Sequence, residues 1–430
     1  MSFQQGLSGL NATSKNLEVI GNNIANANTY GAKMARAEFQ DVYAAALNGA
    51  GASPIGIGVN MAAVSQQFTQ GNISTTENPM DLAINGAGFF QVTDGHNPIT
   101  YTRNGQFKVD RDGFIVNNNQ DKLMGYMADP NGVILPGQAV PLQLPTAGIA
   151  PAVTTRIDIE MNLDARKALT LPAAGPQIDF GSKATFNDAT SLTVYDAKGQ
   201  NIAVTFYFQK AANANLAAVP QTGDQWNVYA TANGTTVAGT NAAPLPVTTI
   251  TYAVDGSTPL APAGLVSVPI PQGTNAAGAL TLPIPALQLN LNGATGFGSA
   301  FGVTDMTQDG FSAGVLSSIA VEPDGTVTAR YSNGESKPAG QVELATFRNP
   351  QGLQPLGGNG WGLTVAAGDP VLGVPGDGSL GVVQAGALEE SNIDLTGELV
   401  NMITAQRTYQ ANAQTIKTMD QVMQTLVNLR

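Results

Sequence analysis

Leu399-Val-Asn-Met-Ile-Thr-Ala-Gln-Arg-Thr-Tyr-Gln-Ala-Asn-Ala-Gln-Thr-Ile-Lys-Thr-Met419 decides how this chain is organised. From Leu395 a stripe runs through Leu399, Met402, Gln406, Tyr409, Ala413, Ile416, Met419, Met423 and Leu426 in steps of three and four. That spacing is a heptad-like helical face. Asp394 or Thr396 is placed to cap its start. No proline follows Pro375, and Gly397 is the only glycine past Gly386. One helix of roughly 30 residues is expected.

The other end repeats the design. Phe3, Leu7, Leu10, Leu17, Ile20 and Ile24 step by three and four, with Ser14 filling one gap. Ser2 with Gln5 reads as a capping box. Gly6, Gly9 and Gly21 each cost this helix about 1 kcal/mol relative to alanine. Ordering costs about 1–2 kcal/mol per residue, and an apolar side chain returns about 1.5–3 kcal/mol only when covered. Both ends are therefore expected to order by packing on each other and on neighbouring subunits. The alternative is an ordinary intramolecular helix pair.

Between the ends the pattern is β. Residues 29–70 read as a linker region, with a short helix ending at Ala44-Ala-Ala-Leu47 and a linker from Gly49 to Pro54. Ile99, Tyr101, Phe107 and Val109 alternate around Arg103-Asn-Gly105, and Asp110-Arg-Asp-Gly113 turns the chain into Phe114-Ile-Val116. Both are read as hairpins. A similar run, Ser318 to Arg330, appears late. Residues 71–145 and 303–389 are thus expected to form one β-rich domain. It is interrupted by a second β-rich domain at 146–302, in which Ser191–Gly199 with Ala203–Phe208 is the clearest hairpin and Trp226–Ala230 a further strand. Residues 255–300 are dense in Pro, Gly and Ala and read as loops and short edge strands. The expected class is mainly β with helical termini at 1–28 and 390–430, nested around the insertion.

Composition excludes more than it assigns. Charged residues are 12% of the chain, about half the usual share, and net charge is −12. No basic cluster serves nucleic acid or an anionic membrane. A polar, uncharged surface suits packing against copies of itself. Cysteine is absent and His96 is the only histidine. Disulfides, thiolate nucleophiles and Cys-based zinc sites are excluded. No apolar run approaches a membrane span, and Met1-Ser-Phe-Gln-Gln-Gly lacks the features of a cleaved leader. Gly376-Asp-Gly378-Ser-Leu-Gly381 fits a dinucleotide fingerprint in letters, but Pro375 and Val382-Val383 frame it as a turn between strands. Asp110-x-Asp112-Gly113 lacks the glycine and glutamate of a calcium loop: Ile115 and Asp121 stand there. His96 lies in a turn sequence and is read as a surface residue. No catalytic residue, cofactor or metal site is expected.

The terminal segments resemble the flagellar rod and hook axial protein family. The resemblance rests on Ser8-Gly-Leu10, Leu17-Glu-Val-Ile-Gly-Asn-Asn-Ile-Ala-Asn26, Asn28-Thr-Tyr-Gly31 and Lys33. At the other end it rests on Leu388-Glu-Glu-Ser-Asn-Ile-Asp-Leu395, Glu398-Leu-Val-Asn-Met-Ile403, Ala405-Gln-Arg-Thr-Tyr-Gln-Ala-Asn412, Ile416-Lys417 and Leu426-Val-Asn-Leu429. Met1–Asn11, Tyr101-x-Arg-Asn-Gly-Gln-Phe107 and Val194-Tyr-Asp-x-x-Gly199 are similar to the hook branch; the alternative is a distal rod protein. Ala32 departs from the pattern, because relatives often carry an aromatic there.

The resemblance implies a self-polymerising subunit that leaves the cell through the flagellar export apparatus. It further implies a curved hollow tube acting as a universal joint in the extracellular flagellum, with the rod, the hook cap and the hook–filament junction proteins as partners. Paired terminal helices would form the inner tube and β domains the outer layers. Leu7, Leu10, Leu17, Ile20 and Ile24 are then expected to pack against Leu399, Met402, Tyr409, Ile416, Met423 and Leu426, with Leu395 a further assembly residue. Asn22, Asn23 and Asn26 are candidates to satisfy backbone groups where the first helix ends, the alternative being a solvated polar loop.

Overall fold

The computed structural model describes residues 2–42, 56, 58–129, 132–170, 177–217, 221–275 and 277–428. Two α-helices lie at the ends of the described chain, α1 (Ser2–Asn26) and α2 (Leu395–Asn428), and strands fill most of what lies between. The chain divides into two compact units: Met1–Thr146 with Ser317–Arg330 and Ser336–Arg430, and Ala147–Leu316 with Tyr331–Glu335.

In the first unit, strands from before the insertion pair with strands from after it. Ile73–Thr75 runs antiparallel to Ala387–Glu389, and Leu82–Asn85 antiparallel to Val382–Ala385. The main sheet has 13 strands, and along its path Lys122–Met127 joins Ser336–Val342 to Phe89–Thr93. Alternation places Val327 and Ala329 inward on one strand, as the two-residue period of a half-buried strand requires. The core gathers Leu82, Ile84, Phe90, Ile115, Leu123, Val342 and Leu344. An aromatic cluster beside it packs Phe89, Tyr101, Phe347 and Trp361 edge to face.

The second unit is built on a 6-stranded sheet around the hairpin of Asp188–Tyr195 and Asn201–Ala212, and a 4-stranded sheet around Arg156–Asn162. Ile202, Val204, Phe206 and Phe208 face its core with Ile157, Ile159, Met161 and Trp226.

Several sequence expectations change. The sequence pattern returns the chain to the first unit at residue 303, but Gly302–Gln308 pairs antiparallel with Arg156–Asn162, and the first unit resumes at Ser317. Alternating residues there face a second-unit neighbour, a distinction periodicity alone does not carry. The 29–70 region is more than a linker: Ala35–Val42 and Gly58–Gln66 form an antiparallel two-stranded ribbon against α1. The segments 44–47 and 49–54 lie outside the described residues.

Of the two early hairpins, Asp110–Gly113 is one, linking Lys108–Val109 to Ile115–Val116. Arg103–Gly105 is not: Thr100–Thr102 pairs instead with Phe89–Thr93 and Gly360–Gly362. The cause is Arg103, which turns inward to a buried carboxylate instead of standing at an exposed tip. Gly376–Gly381 connects two short strands, and His96 is exposed in its turn.

Candidate assembly site on the terminal helices

Asp394 caps α2: its Oδ1 accepts the Thr396 N–H at 3.0 Å. Thr396 is inside the helix. The two helices approach closely where α1 has no side chain. A Cβ at Gly6 would stand 3.1 Å from Ile416 Cγ1, and one at Gly9 2.9 Å from Asn412 Nδ2. The helical penalty of these glycines is thus matched by close approach. Gly21 has open space around it.

The buried residues of α1 are Gly6, Thr13 and Ile20, spaced by seven, together with Asn23; of the described residues of the apolar stripe, Ile20 alone is among them. Leu10, Leu17 and Ile24 are half-buried and Leu7 is exposed. On α2, Glu398 and Ala405 are buried, and Met402, Asn412, Ile416 and Met419 half-buried. Leu395, Leu399, Tyr409 and Met423 are exposed, Leu399 at 45% and Met423 at 62%. Of the residues expected to meet across the pair, the structure places Ile416 against α1, at Gly6, and leaves Leu399, Tyr409 and Met423 largely uncovered by this chain. The side chains of Ser2, Phe3 and Leu426 lie outside those described. The sequence marks apolar faces but not whether the covering surface is the same chain or another.

Below the helices, side chains bind the chain's early and late segments together. Asn23 spans two backbone groups of one residue, donating to Ala35 O at 2.8 Å and accepting from Ala35 N–H at 2.9 Å. Asn26 Nδ2 donates to the Asn22 carbonyl near the end of α1 at 2.9 Å, and to Asn22 Oδ1. Gly31 turns the chain at φ +72°, where a Cβ would stand 2.6 Å from Asn104 N. Its N–H donates to Glu389 O at 2.8 Å. Ala32 is buried and lines a small polar cleft with Asn22, Asn26, Asn359 and Trp361.

Glu389 is the centre. Its side chain is fully buried and accepts from Lys33 Nζ at 2.6 Å, Arg103 Nη1 at 3.0 Å and Gly71 N–H at 2.9 Å. Lys33 also donates to Thr69 O, and Arg103 Nη2 to Gly86 O. Burial pushes the Lys33 ammonium below its ordinary pKa, against the opposing pull of the Glu389 charge. Asn392 completes the clasp: it accepts from Met34 N–H and donates to Gln67 O, each at 2.8 Å.

Lys33, Arg103 and Glu389 all stand in segments singled out above, yet their meeting was not foreseen. The available signal was scarcity: with 12% charged residues, an arginine inside an alternating apolar run is unusual. Among the described residues there is no cluster of acidic, histidine or cysteine side chains able to hold a metal ion, and no helix long and apolar enough to cross a membrane.

Comparison with known proteins places each part. Residues 3–33 match the flagella basal body rod protein family, 83–166 the flagellar hook protein FlgE/F/G D1 domain, 162–311 the flagellar basal body protein FlaE D2 domain, and 384–429 the flagellar basal body rod FlgEFG protein C-terminal family. The flagellar hook protein FlgE of Salmonella typhimurium is 38% identical over 435 residues, covering 100% of both chains. That of Escherichia coli is 37% identical over 434 residues, again covering 100% of both, and that of Borreliella burgdorferi 30% identical, covering 100% of this chain and 99% of its own. The crystal structure of Helicobacter pylori flagellar hook protein FlgE2 shares the fold, with a TM-score of 0.53 at 14% identity over 74% of this chain and all of that one. Full-length identity to hook proteins, with a rod-type match at each end, leaves one assignment: the chain belongs to the flagellar hook protein family.

Proposed function

We propose that this chain is the non-catalytic structural subunit of the flagellar hook, polymerising into a curved hollow tube that transmits torque and passes exported subunits. One observation carries the polymer reading. The terminal helices pack together through small and polar residues and leave a large apolar surface unused, including Leu399, Val400, Ile403, Val422 and Met423. Covering such side chains is worth about 1.5–3 kcal/mol each, scaled by the exposed share. Repeated along a seam of identical copies, that gain offsets the ordering cost of helices rich in glycine and asparagine. The helices would line the channel, with the β-rich parts outside them, and low charge would leave outer contacts weak enough to exchange round a bend. The rod, the hook cap, the hook–filament junction proteins and the export apparatus are the proposed partners, and the flagellum outside the cell the proposed location.

Electron microscopy of the purified chain, concentrated with a precipitant, tests this beside a copy lacking residues 1–28 and 395–430. Curved hollow tubes from the full chain alone are the expected result. Straight tubes would favour a rod protein. Monomers from both would overturn self-assembly by the helices.

A further inference from the structure

α1, α2 and the ribbon line a groove of about 610 Å³ that includes a carboxylate oxygen without a partner among the described residues. Glu398, in the first turn of α2, is 7% exposed and lines this groove, yet its Oε2 has no hydrogen-bond partner among the described residues. A desolvated carboxylate oxygen without a donor is costly. Arg36 lines the same groove, but its guanidinium is held by Glu38 at 2.9 Å. The groove's described lining offers Glu398 no other cation.

The same helix carries a suitable cation on its opposite side. Arg407 and Lys417 are exposed and make no ion pair among the described residues. At about 100° per residue, Arg407, Gln410, Gln414 and Lys417 fall on one face of α2. Asn401, Ala405 and Thr408, which line the groove, fall on a roughly opposite one. A face that complements a different face of the same molecule makes a heterologous contact, which repeats head to tail and gives an open helical assembly when the rotation does not close.

We propose that the Arg407–Lys417 face of α2 in one copy seats in the groove of the next, where Arg407 pairs with Glu398 once that carboxylate turns toward it. The inference rests on the polymer reading above and names the surfaces it uses. Copies related by rotation and rise hold their α2 helices parallel, so the pairing also sets Gln410 beside the neighbour's Asn401. A planar guanidinium suits a carboxylate approached along a groove.

The test measures the protein concentration at which full-length chain forms tubes. Arg407→Glu alters an exposed side chain with no ion pair among the described residues, and Glu398→Gln is nearly isosteric. Each is expected to raise that concentration at least about tenfold while leaving the circular dichroism of the monomer unchanged. Arg407→Glu combined with Glu398→Arg is expected to recover most of the loss. Because the chain has no cysteine, Asn401→Cys and Gln410→Cys proteins give a second readout with a short bis-maleimide. Cross-linked dimers are expected from their mixture and not from either alone. Wild-type tubes with unimpaired Arg407→Glu tubes would overturn this pairing and leave the hook reading intact. Dimers from Asn401→Cys alone would show a two-fold contact and overturn it too. Absence of wild-type tubes would remove both.

Discussion

Replacing Glu389 by glutamine should unfold the first unit early while leaving the second untouched. The Glu389 carboxylate is the shared acceptor for Lys33, Arg103 and the Gly71 N–H, and the side chains of Glu389, Lys33 and Arg103 are buried. Glutamine keeps an acceptor but removes the charge, stranding two cations. Breaking a buried pair in this way costs about 3–5 kcal/mol. Lys33 has one escape, giving up its proton, which at pH 7 costs at most about 5 kcal/mol from its ordinary value and bounds the share of the loss that falls on Lys33; Arg103 has no such escape. For a domain of this size the midpoint falls about 2–4 °C per kcal/mol, or roughly 6–20 °C in all. The chain's two tryptophans make this measurable unit by unit. Trp361 lies in the first unit's aromatic cluster and Trp226 in the second unit's core. Thermal fluorescence on a Trp226→Phe background follows the first, and on a Trp361→Phe background the second. A first-unit shift below about 2 °C would refute the reasoning, because it would mean the carboxylate compensates nothing. Lys33→Met, Arg103→Leu and Glu389→Leu together should recover most of the loss, since apolar replacement of a whole buried cluster is often neutral or stabilising.

Asn23→Ala orphans both backbone groups of Ala35, at about 1–3 kcal/mol each, and hydrogen exchange at the Ala35 amide should accelerate accordingly. Gly9→Ala places a methyl against Asn412 and should lower the melting temperature of the monomer's helical signal, a net loss on the order of 1 kcal/mol. Gly21→Ala meets nothing and should raise that melting temperature, through a stability gain of about 0.5–1 kcal/mol. Tyr126, whose OH donates to Glu343 Oε1 at 2.5 Å, is pushed up to about 12 by burial, by that hydrogen bond and by the carboxylate's charge. Its neutral phenol is favoured in the native state. That contribution is therefore full below the unfolded value of about 10 and is lost as pH rises through about 12. Denaturant midpoints should fall across that window, and by less in Tyr126→Phe.

The helices, the hairpin at 188–212 and the mainly β class were legible because each writes a period into the sequence. Leu399, Met402 and Met423 announce a helix whatever covers them. Which neighbour covers them is a different matter, because an assembly helix carries several contact faces and the apolar stripe need not be the intrachain one. The seam inside the chain uses Gly6, Gly9 and Thr13, whose smallness leaves no hydrophobic signal. The boundary at 316 was missed for a related reason: Gly302–Gln308 alternates equally well against either unit. The Lys33–Arg103–Glu389 cluster joins residues more than 280 positions apart in sequence, and no local pattern records such a meeting.

The pairing of Ile73–Thr75 with Ala387–Glu389, and of Leu82–Asn85 with Val382–Ala385, also sets an order in time. The second unit lies almost wholly within one continuous stretch, 147–316, and can close as soon as that stretch is free. The first unit cannot. Its strands wait for partners some 300 residues downstream, and the entropy of closing that loop opposes any earlier attempt. A chain threaded through a narrow passage with its N-terminus leading would therefore emerge with its first unit open and slack. Those long-range pairs would close only once Ala387–Glu389 had cleared the exit, about nine tenths of the way along the chain, so folding itself would mark the last stage of delivery.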